Sequence, residues 1–165
     1  MLFLDRDGII NRELGRYVSS EEDFELNEGI VPVLQYMKSR GYAFAVITNQ
    51  GGIARGLYTR AVLERIHDKM HARLSAFGIR LEEVYYCPHH PNYSLCLCRK
   101  PQSLMLEKAM ARLDADPERS FMIGDSDRDV FAAHGAGLSV FRLPSNEIPE
   151  PQVFWEMALQ AGVKP

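Results

Sequence analysis

Residues 1–10, MLFLDRDGII, decide the fold of this chain. Four apolar residues run directly into Asp5, Arg6 and Asp7, and Gly8 follows. A short apolar run bounded by charge and glycine is typical of a strand that is buried on both faces and ends abruptly. Asp5 and Asp7 then leave the end of the strand on the same side, where like charges raise each other's pKa. A solvated turn is the alternative interpretation, because aspartate and glycine are common in turns.

Strand and helix patterns alternate along the rest of the chain. Short apolar runs predict further strands over residues 42–48, 80–86, 120–125 and 138–143. Helical spacing of apolar residues predicts helices over residues 30–40, 60–77, 103–114 and 129–134 and around 154–155. In the longest of these helices, one apolar stripe is predicted to contain Leu63, Ile66, Met70, Leu74 and Phe77. This alternation predicts an α/β fold with a doubly wound, mainly parallel sheet and helices on both of its faces.

Length and composition predict a single domain over residues 1–165. The segments 8–28 and 50–59 are too short to fold independently, so no large cap domain is expected. The net charge of −3 gives no sign of a nucleic-acid or membrane surface, and no apolar run approaches the length of a membrane span. The chain starts inside the predicted first strand, which leaves no room for a signal segment. We therefore expect a cytoplasmic monomer without nucleic-acid or membrane partners.

Polar side chains follow the carboxyl ends of the predicted strands, which is where open α/β sheets bind ligands. They are Asp5, Asp7, Thr48, Asn49, Arg99, Lys100, Asp125 and Asp129. The carboxylates can hold Mg²⁺, which takes oxygen ligands and shares them with substrate phosphates. Thr48 and nearby backbone amides can bind phosphate oxygens, and Lys100 can neutralise charge on a transferring phosphoryl group. One carboxylate can attack phosphorus while the second acts as general acid and then base, and a shared cation would remove their repulsion.

The three cysteines lie within one twelve-residue window, at Cys87, Cys96 and Cys98. An odd number of cysteines in an apparently cytoplasmic chain argues against a disulfide framework, and their clustering favours a metal. With a nearby histidine they offer three thiolates and one imidazole, the ligand set of a structural Zn²⁺ site over residues 87–98. His89 and His90 can each supply the imidazole. Zinc would fix the shape of this loop, which leads directly into the two cationic residues Arg99 and Lys100.

Other residues carry weaker signals. The stretch GGIARG at 51–56 lacks the lysine and the spacing of a P-loop, so nucleotide binding is not expected. Its Arg55 either reaches a distal phosphate or sugar hydroxyl or stays solvated, and Arg99 can bind a carboxylate or a second phosphate. His67 and His71 are four residues apart on a predicted helix but lack a third ligand, so we interpret them as surface histidines.

The motifs DRDG at 5–8, TNQ at 48–50 and GDSDRD at 124–129, with a lysine between the last two, resemble the four motifs of the haloacid dehalogenase (HAD) superfamily of phosphatases. They occur in the order found in that superfamily. By this resemblance Asp5 is the nucleophile and Asp7 is the general acid and base. Thr48 and Lys100 would bind the phosphoryl group.

The same resemblance implies two metal sites. Mg²⁺ would be held by Asp5, Asp125 and the backbone carbonyl of Asp7. Asp129 would support this magnesium site. In the loop at 87–98, the resemblance assigns the fourth zinc ligand to His89.

Within this superfamily the chain resembles two groups of phosphatases with a zinc loop. The stretches ITNQGGIARGLYT and CPHHP resemble the phosphatases of D-glycero-D-manno-heptose 1,7-bisphosphate. The gap of six residues between His89 and Cys96 resembles the histidinol-phosphate phosphatases instead, and Ser126 and Ile9 replace a lysine and a threonine that are usual in the heptose enzymes. The resemblance therefore implies an Mg²⁺-dependent phosphatase that acts through an aspartyl phosphate, foremost on the 7-phosphate of that bisphosphate, with histidinol phosphate as the alternative. Its expected substrate contacts are Asn49, Arg55 and Arg99.

Two interpretations from other functional classes are open to test. A receiver-like signalling domain shares the expected fold, but its phosphoacceptor follows the third strand, whereas Asp5 follows the first. A catalytically inert scaffold stabilised by zinc would have no need for the acidic pair together with Lys100 and Asp125.

Overall fold

The structure, a computed structural model, describes residues 1–164. The strands are β1 (Leu2–Leu4), β2 (Phe44–Asn49), β3 (Leu81–Cys87), β4 (Phe121–Gly124) and β5 (Ser139–Arg142). The α-helices are α1 (Ile30–Ser39), α2 (Arg60–Ser75), α3 (Leu104–Leu113), α4 (Asp127–Gly135) and α5 (Pro151–Gln160). A short 3₁₀ helix, Pro117–Arg119, leads into β4.

The strands form one parallel sheet in the order β3-β2-β1-β4-β5. The chain first winds outward from β1 through β2 and β3, and then returns to the other side of β1 to form β4 and β5. This confirms the predicted doubly wound α/β fold. In such sheets, ligands bind outside the carboxyl ends of the strands where the winding reverses. The expected site therefore lies above β1 and β4.

Alternate residues of the short first strand contribute to two separate cores. Leu2 and Leu4 belong to the larger core, which packs α1, α2 and α5 against one face of the sheet. Phe3 belongs to the smaller core, which packs α3 and α4 against the other face. Because successive side chains of a strand point to opposite faces, a strand that is covered on both faces is apolar throughout. All residues of β1 are fully buried, as the apolar run predicted.

The longest helix, α2, is shorter than its sequence pattern suggested. It begins as expected, because Thr59 Oγ1 accepts a hydrogen bond from the Val62 amide at 3.3 Å. It ends at Ser75, so Phe77 follows the helix and is 41% exposed. The prediction that Phe77 belongs to the buried stripe was therefore wrong.

The carboxyl edge of the sheet is shaped by a helix cap and two loops. Helix α4 starts at Asp127, earlier than predicted, because Ser126 and Asp129 form a capping box. Residues 5–29 after β1 and residues 50–59 after β2 form loops whose extended pairing is limited to isolated bridges. None of the helices within residues 1–164 has the length and apolar character needed to cross a membrane.

Candidate active site

The floor of the site is an ion-pair cluster at the carboxyl end of β1. Lys100 Nζ lies 2.9 Å from Asp5 Oδ1 and 2.5 Å from Asp129 Oδ1. The same ammonium group donates to the carbonyl oxygen of Ile47 at 2.6 Å, so each of its protons has an acceptor. Lys100 is 2% exposed and Asp129 is fully buried. The ammonium is therefore fixed directly beside Asp5.

Burial and charge compete within this cluster. Burial raises the pKa of Asp5 to about 7, although the neighbouring Lys100 charge opposes the rise. Burial would lower the pKa of Lys100, but the carboxylates of Asp5 and Asp129 outweigh it and the pKa is raised. For Asp129, burial is likewise outweighed by the Lys100 charge, and its pKa is lowered. A further cation beside Asp5 would favour its ionised form.

Asn49, the last residue of β2, holds the backbone of Lys100. Its Nδ2 donates to the Lys100 carbonyl oxygen at 2.9 Å, and its Oδ1 accepts from the Lys100 amide at 3.0 Å. Asn49 lines the cavity, as expected of a substrate contact, but both polar atoms of its side chain are engaged in this pair of bonds. In the structure, Asn49 therefore fixes the backbone of Lys100, a role that the motif alone did not suggest.

Asp7 sits in a network of donors that the sequence did not reveal. Arg6, which is 1% exposed, donates from Nη2 to both carboxylate oxygens of Asp7, at 2.7 and 3.0 Å. Asn11 Nδ2 donates to Asp7 Oδ1 and Gln50 Nε2 donates to Asp7 Oδ2, each at 3.0 Å. Burial would raise the pKa of Asp7, but the Arg6 charge and these hydrogen bonds lower it. Asp7 is held as a carboxylate.

Asp125 completes an acidic cluster with Asp5 and Asp129. One carboxylate oxygen from each residue lies within 4.8 Å of the other two. Gly8 permits this approach, because its φ is +83° and a Cβ there would lie 2.1 Å from Asp125 Oδ2. Asp129 also accepts from the Ser126 amide at 3.0 Å and the Ser126 hydroxyl at 2.7 Å, so it is the most fully engaged of the three. Converging carboxylate oxygens of this kind fit Mg²⁺.

The cysteine loop forms a second cluster with zinc-like geometry. Its ligand atoms are Cys87 Sγ, His89 Nδ1, Cys96 Sγ and Cys98 Sγ. Neighbouring atoms are 3.2 to 3.6 Å apart. A tetrahedron around Zn²⁺ has edges of about 3.6–3.8 Å, given Zn–S and Zn–N bonds of about 2.3 and 2.1 Å. The donor set fits zinc after a small expansion, and His90 lies outside it, with its Nδ1 accepting from the Asn92 amide at 3.3 Å.

A cavity of about 840 Å³ lies above these groups. Its floor contains Asp5, Asp7, Thr48, Lys100 and Asp125. Four arginines also line it, namely Arg16, Arg55, Arg99 and Arg128. The floor of the cavity is therefore acidic apart from one buried lysine, and its wall is cationic. This arrangement suits a ligand that carries negative charge at two separate points.

The two arginines expected to contact substrate are anchored differently. Arg99 Nη1 donates to the carbonyl oxygen of His89 at 3.0 Å, which ties it to the cysteine loop. The Arg55 guanidinium lies over the Tyr17 ring, 5.6 Å from its centroid. Both side chains reach the cavity from loops, and neither forms a salt bridge with a residue of the described chain.

His67 is not the surface residue that the sequence suggested. It is 8% exposed, it packs edge-on against the Tyr86 ring at 5.9 Å, and burial lowers its pKa to about 3. The Tyr86 ring belongs to strand β3, and helical spacing alone does not predict this contact. His67 is therefore a neutral core residue.

Comparison with known families supports the motif assignment. A family model described as HAD-hydrolase-like matches residues 97–147. The D-glycero-beta-D-manno-heptose-1,7-bisphosphate 7-phosphatase of Helicobacter pylori is 43% identical over 136 residues, which cover 82% of this chain and 77% of that protein. The enzyme of the same name from Escherichia coli K12 is 41% identical over 143 residues, covering 83% of this chain and 74% of that protein.

Comparison with solved structures gives the same result. The D,D-heptose 1,7-bisphosphate phosphatase of B. bronchiseptica, solved with magnesium and phosphate, superposes with a TM-score of 0.83 and 31% identity. The match covers 96% of this chain and 98% of that one. A second heptose bisphosphate phosphatase, from Burkholderia thailandensis, has a TM-score of 0.64 and 27% identity, covering 99% of this chain and 86% of its own.

Proposed function

Because this chain belongs to the HAD superfamily, in the family of the heptose-1,7-bisphosphate 7-phosphatases, we propose that it hydrolyses the 7-phosphate ester of D-glycero-beta-D-manno-heptose 1,7-bisphosphate. The observation that carries this proposal is the two-part cavity. Asp5 and Lys100 on its floor suit the phosphoryl group that is transferred, and the arginines of its wall suit the second phosphate of the substrate. A monophosphate would leave Arg55, Arg99 and Arg128 of that wall without a counter-charge, whereas Arg16 already pairs with Asp23.

In the proposed reaction, a carboxylate oxygen of Asp5 attacks phosphorus and the bond from phosphorus to the sugar oxygen breaks. The electron pair of that bond goes to the sugar oxygen, which takes a proton from Asp7. Lys100 and Thr48 hold the phosphoryl oxygens as charge develops on them. The Asp5 carboxylate is already oriented, because its Oδ1 accepts from the Arg6 amide at 2.7 Å and contacts Lys100 Nζ.

The second half of the reaction returns Asp5 to its starting state. Asp7 takes a proton from a water molecule, whose oxygen attacks the phosphorus of the aspartyl phosphate. The bond from phosphorus to the Asp5 oxygen breaks, its electron pair returns to the Asp5 carboxylate, and inorganic phosphate is released. The ionised, Arg6-paired Asp7 described above is the form this step needs. Proton donation in the first half-reaction requires Asp7 to carry a proton. Because Arg6 lowers the pKa of Asp7, it favours the ionised form, which acts as the base in the second half-reaction.

Two metal ions complete the proposed site. Mg²⁺ would be held by Asp5, Asp125 and the backbone carbonyl of Asp7, with Asp129 in support, and when bound it would neutralise charge on the phosphoryl oxygens. The three converging carboxylates and the magnesium in the B. bronchiseptica relative support this assignment. Zn²⁺ would be held by the ligand set of the cysteine loop in a structural role, because all four of its positions are taken by protein atoms.

The zinc proposal predicts a specific loss in one variant. In Cys98→Ser, we expect zinc affinity to fall by at least about 100-fold, since replacing a ligand should cost at least as much as disturbing its surroundings. The loop that leads into Lys100 then loses its anchor, and kcat falls with it. Zinc per chain is measured by mass spectrometry after dialysis, alongside phosphate release. Ser94→Ala, an exposed change in the same loop, is the control and should keep its zinc. Full activity in zinc-free Cys98→Ser protein would contradict the structural role.

The substrate proposal is tested by comparing two phosphate esters. We expect kcat/KM for heptose 1,7-bisphosphate to exceed that for histidinol phosphate by at least about 100-fold, because the second phosphate would pair with Arg55, Arg99 or Arg128, which form no salt bridge within residues 1–164. Phosphate release is measured with Mg²⁺ for each substrate. Arg55→Gln should reduce the preference, since it removes one charge of the cationic wall. A preference for histidinol phosphate would overturn the proposal and make the short gap between His89 and Cys96 the better guide to substrate.

A further inference from the structure

We infer that Gln50, held in place by Tyr58, is a positioning residue for Asp7 in the reaction proposed above, on which this inference rests. Gln50 follows β2 and is 1% exposed, and Tyr58 lies before α2 and is 6% exposed. Neither residue lines the cavity, so neither touches a ligand bound there. Their effect has to pass through the groups they hold.

The Gln50 amide uses both of its polar atoms in one orientation. Its Nε2 donates to Asp7 Oδ2 at 3.0 Å and to Thr48 Oγ1 at 2.9 Å. Its Oε1 accepts from the Tyr58 hydroxyl at 2.6 Å. If the amide turned over, Oε1 would face the Asp7 carboxylate, which is also an acceptor. The Tyr58 hydroxyl therefore stabilises the orientation in which Gln50 donates to Asp7.

Tyr58 occupies space that a side chain at position 52 would fill, and Gly52 has none. A Cβ at this position would lie 2.3 Å from Tyr58 Cε1 and 2.9 Å from its hydroxyl oxygen. The turn is closed by a hydrogen bond from the Leu57 amide to the Gly52 carbonyl oxygen at 2.9 Å. The glycine-rich stretch GGIARG, which lacks the features of a P-loop, thus seats a tyrosine ring against the Gln50 amide.

Gln50 joins two groups that must keep a fixed separation. Thr48 is proposed to hold a phosphoryl oxygen, and Asp7 is proposed to exchange a proton with the leaving sugar oxygen or the attacking water. Arg6 and Asn11 also bind Asp7, but in the described chain the hydrogen bonds that bridge Asp7 to Thr48 come from Gln50. A misplacement of about 1 Å in such a pair can cost about 100-fold in rate.

The test is a double-mutant cycle of Tyr58→Phe and Asp7→Asn, measured as kcat and KM for steady-state phosphate release from heptose 1,7-bisphosphate. Tyr58→Phe removes one hydroxyl and leaves Gln50 Oε1 without its donor. We expect kcat to fall about 10-fold with KM unchanged, as for loss of one buried hydrogen bond. In the Asp7→Asn background, the same change should cost less than about 2-fold, because the group it positions no longer exchanges a proton.

Two further variants provide a control and a second test. Tyr85→Phe is the matched control, since the buried Tyr85 hydroxyl has no hydrogen-bond partner within residues 1–164, and it should leave kcat unchanged. Gln50→Met replaces Gln50 with a side chain of similar volume and removes both hydrogen bonds that it donates. It serves as a second test if Tyr58→Phe folds poorly, and it should likewise lower kcat more in the wild-type background than in the Asp7→Asn background.

The possible outcomes separate this inference from the proposed function. Wild-type protein that releases no phosphate from the bisphosphate would overturn the proposed function before any variant is compared. An active wild type with an undiminished Tyr58→Phe, or an equal loss in both backgrounds, would overturn the positioning role alone. A rise in KM at unchanged kcat would do the same, because it would show that Tyr58 acts on binding.

Discussion

Asp5→Asn is expected to lower kcat by at least about 10⁴-fold, because it replaces the proposed nucleophile with a neutral amide of nearly the same shape. The amide cannot attack phosphorus, and it removes one of the two carboxylates that pair with Lys100. KM should change much less than kcat, since Lys100, Thr48 and the arginines of the cavity wall remain. Phosphate release from heptose 1,7-bisphosphate under single-turnover conditions measures the loss.

The matched control for this variant is Asp127→Asn. Asp127 has 73% of its side chain exposed, where it pairs with Arg142, and it does not line the cavity. The same chemical change at this position should leave kcat within about 2-fold of the wild type, because exposed ion pairs contribute little. Substantial turnover by Asp5→Asn, within about 10-fold of the wild type, would show that another group attacks phosphorus.

Lys100→Met is expected to cost about 3–5 kcal/mol of unfolding free energy in addition to most of the activity. Methionine has a similar length, but it leaves two buried carboxylates, Asp5 and Asp129, without their shared cation. Removing one partner of a buried ion pair has this cost because the remaining charge stays out of water. Urea unfolding without Mg²⁺ measures the stability, and Mg²⁺ should recover part of it by supplying the missing positive charge.

The pH dependence of the Lys100→Met variant gives an independent check. Without the lysine, the folded-state pKa of the buried carboxylates lies above the unfolded value, so the folded protein binds protons more strongly. Stability then falls as the pH rises, and the loss should be larger at pH 8 than at pH 5. Lys108→Met removes the same charge from an exposed position on α3 and should change the unfolding free energy by less than about 0.5 kcal/mol. Equal stability of the two variants would show that Lys100 is not part of a coupled buried cluster.

Local pattern was sufficient to predict the architecture and the edge of the sheet at which the polar residues of the candidate site meet. The apolar run before Asp5 predicted a strand covered on both faces, and the alternation of strands and helices predicted a doubly wound, mainly parallel sheet. Because the carboxyl ends of parallel strands share one edge, polar residues distant in sequence, such as Asp5 and Asp125, were expected to meet there. The cysteine spacing likewise predicted a cluster that the structure brings into zinc-like geometry.

Local pattern could not predict the partners of those groups. Asn49 was expected to face substrate, yet it binds the backbone of Lys100, a residue from another loop. Arg6 and His67 carry polar groups that sequence statistics place at the surface, and both are buried. Each of these outcomes depends on contacts between residues far apart in the chain, which neither periodicity nor spacing contains. The arginine inside DRDG was the one available signal, because a buried strand end seldom tolerates a third charge without a partner.

The strand order also sets when the site can form during synthesis of the chain. Leu2 pairs with Phe121, so the strand that carries Asp5 has no neighbour on that side until the ribosome has passed β4. Until then the emerging polypeptide holds Asp5 and Lys100 but lacks Asp125 and Asp129. The pairing of β1 with β4 forms slowly, because the long segment of chain between them has to lose conformational entropy first. A truncated or stalled product therefore contains the proposed nucleophile but lacks Asp125 and Asp129, two of the three carboxylates of the proposed magnesium site.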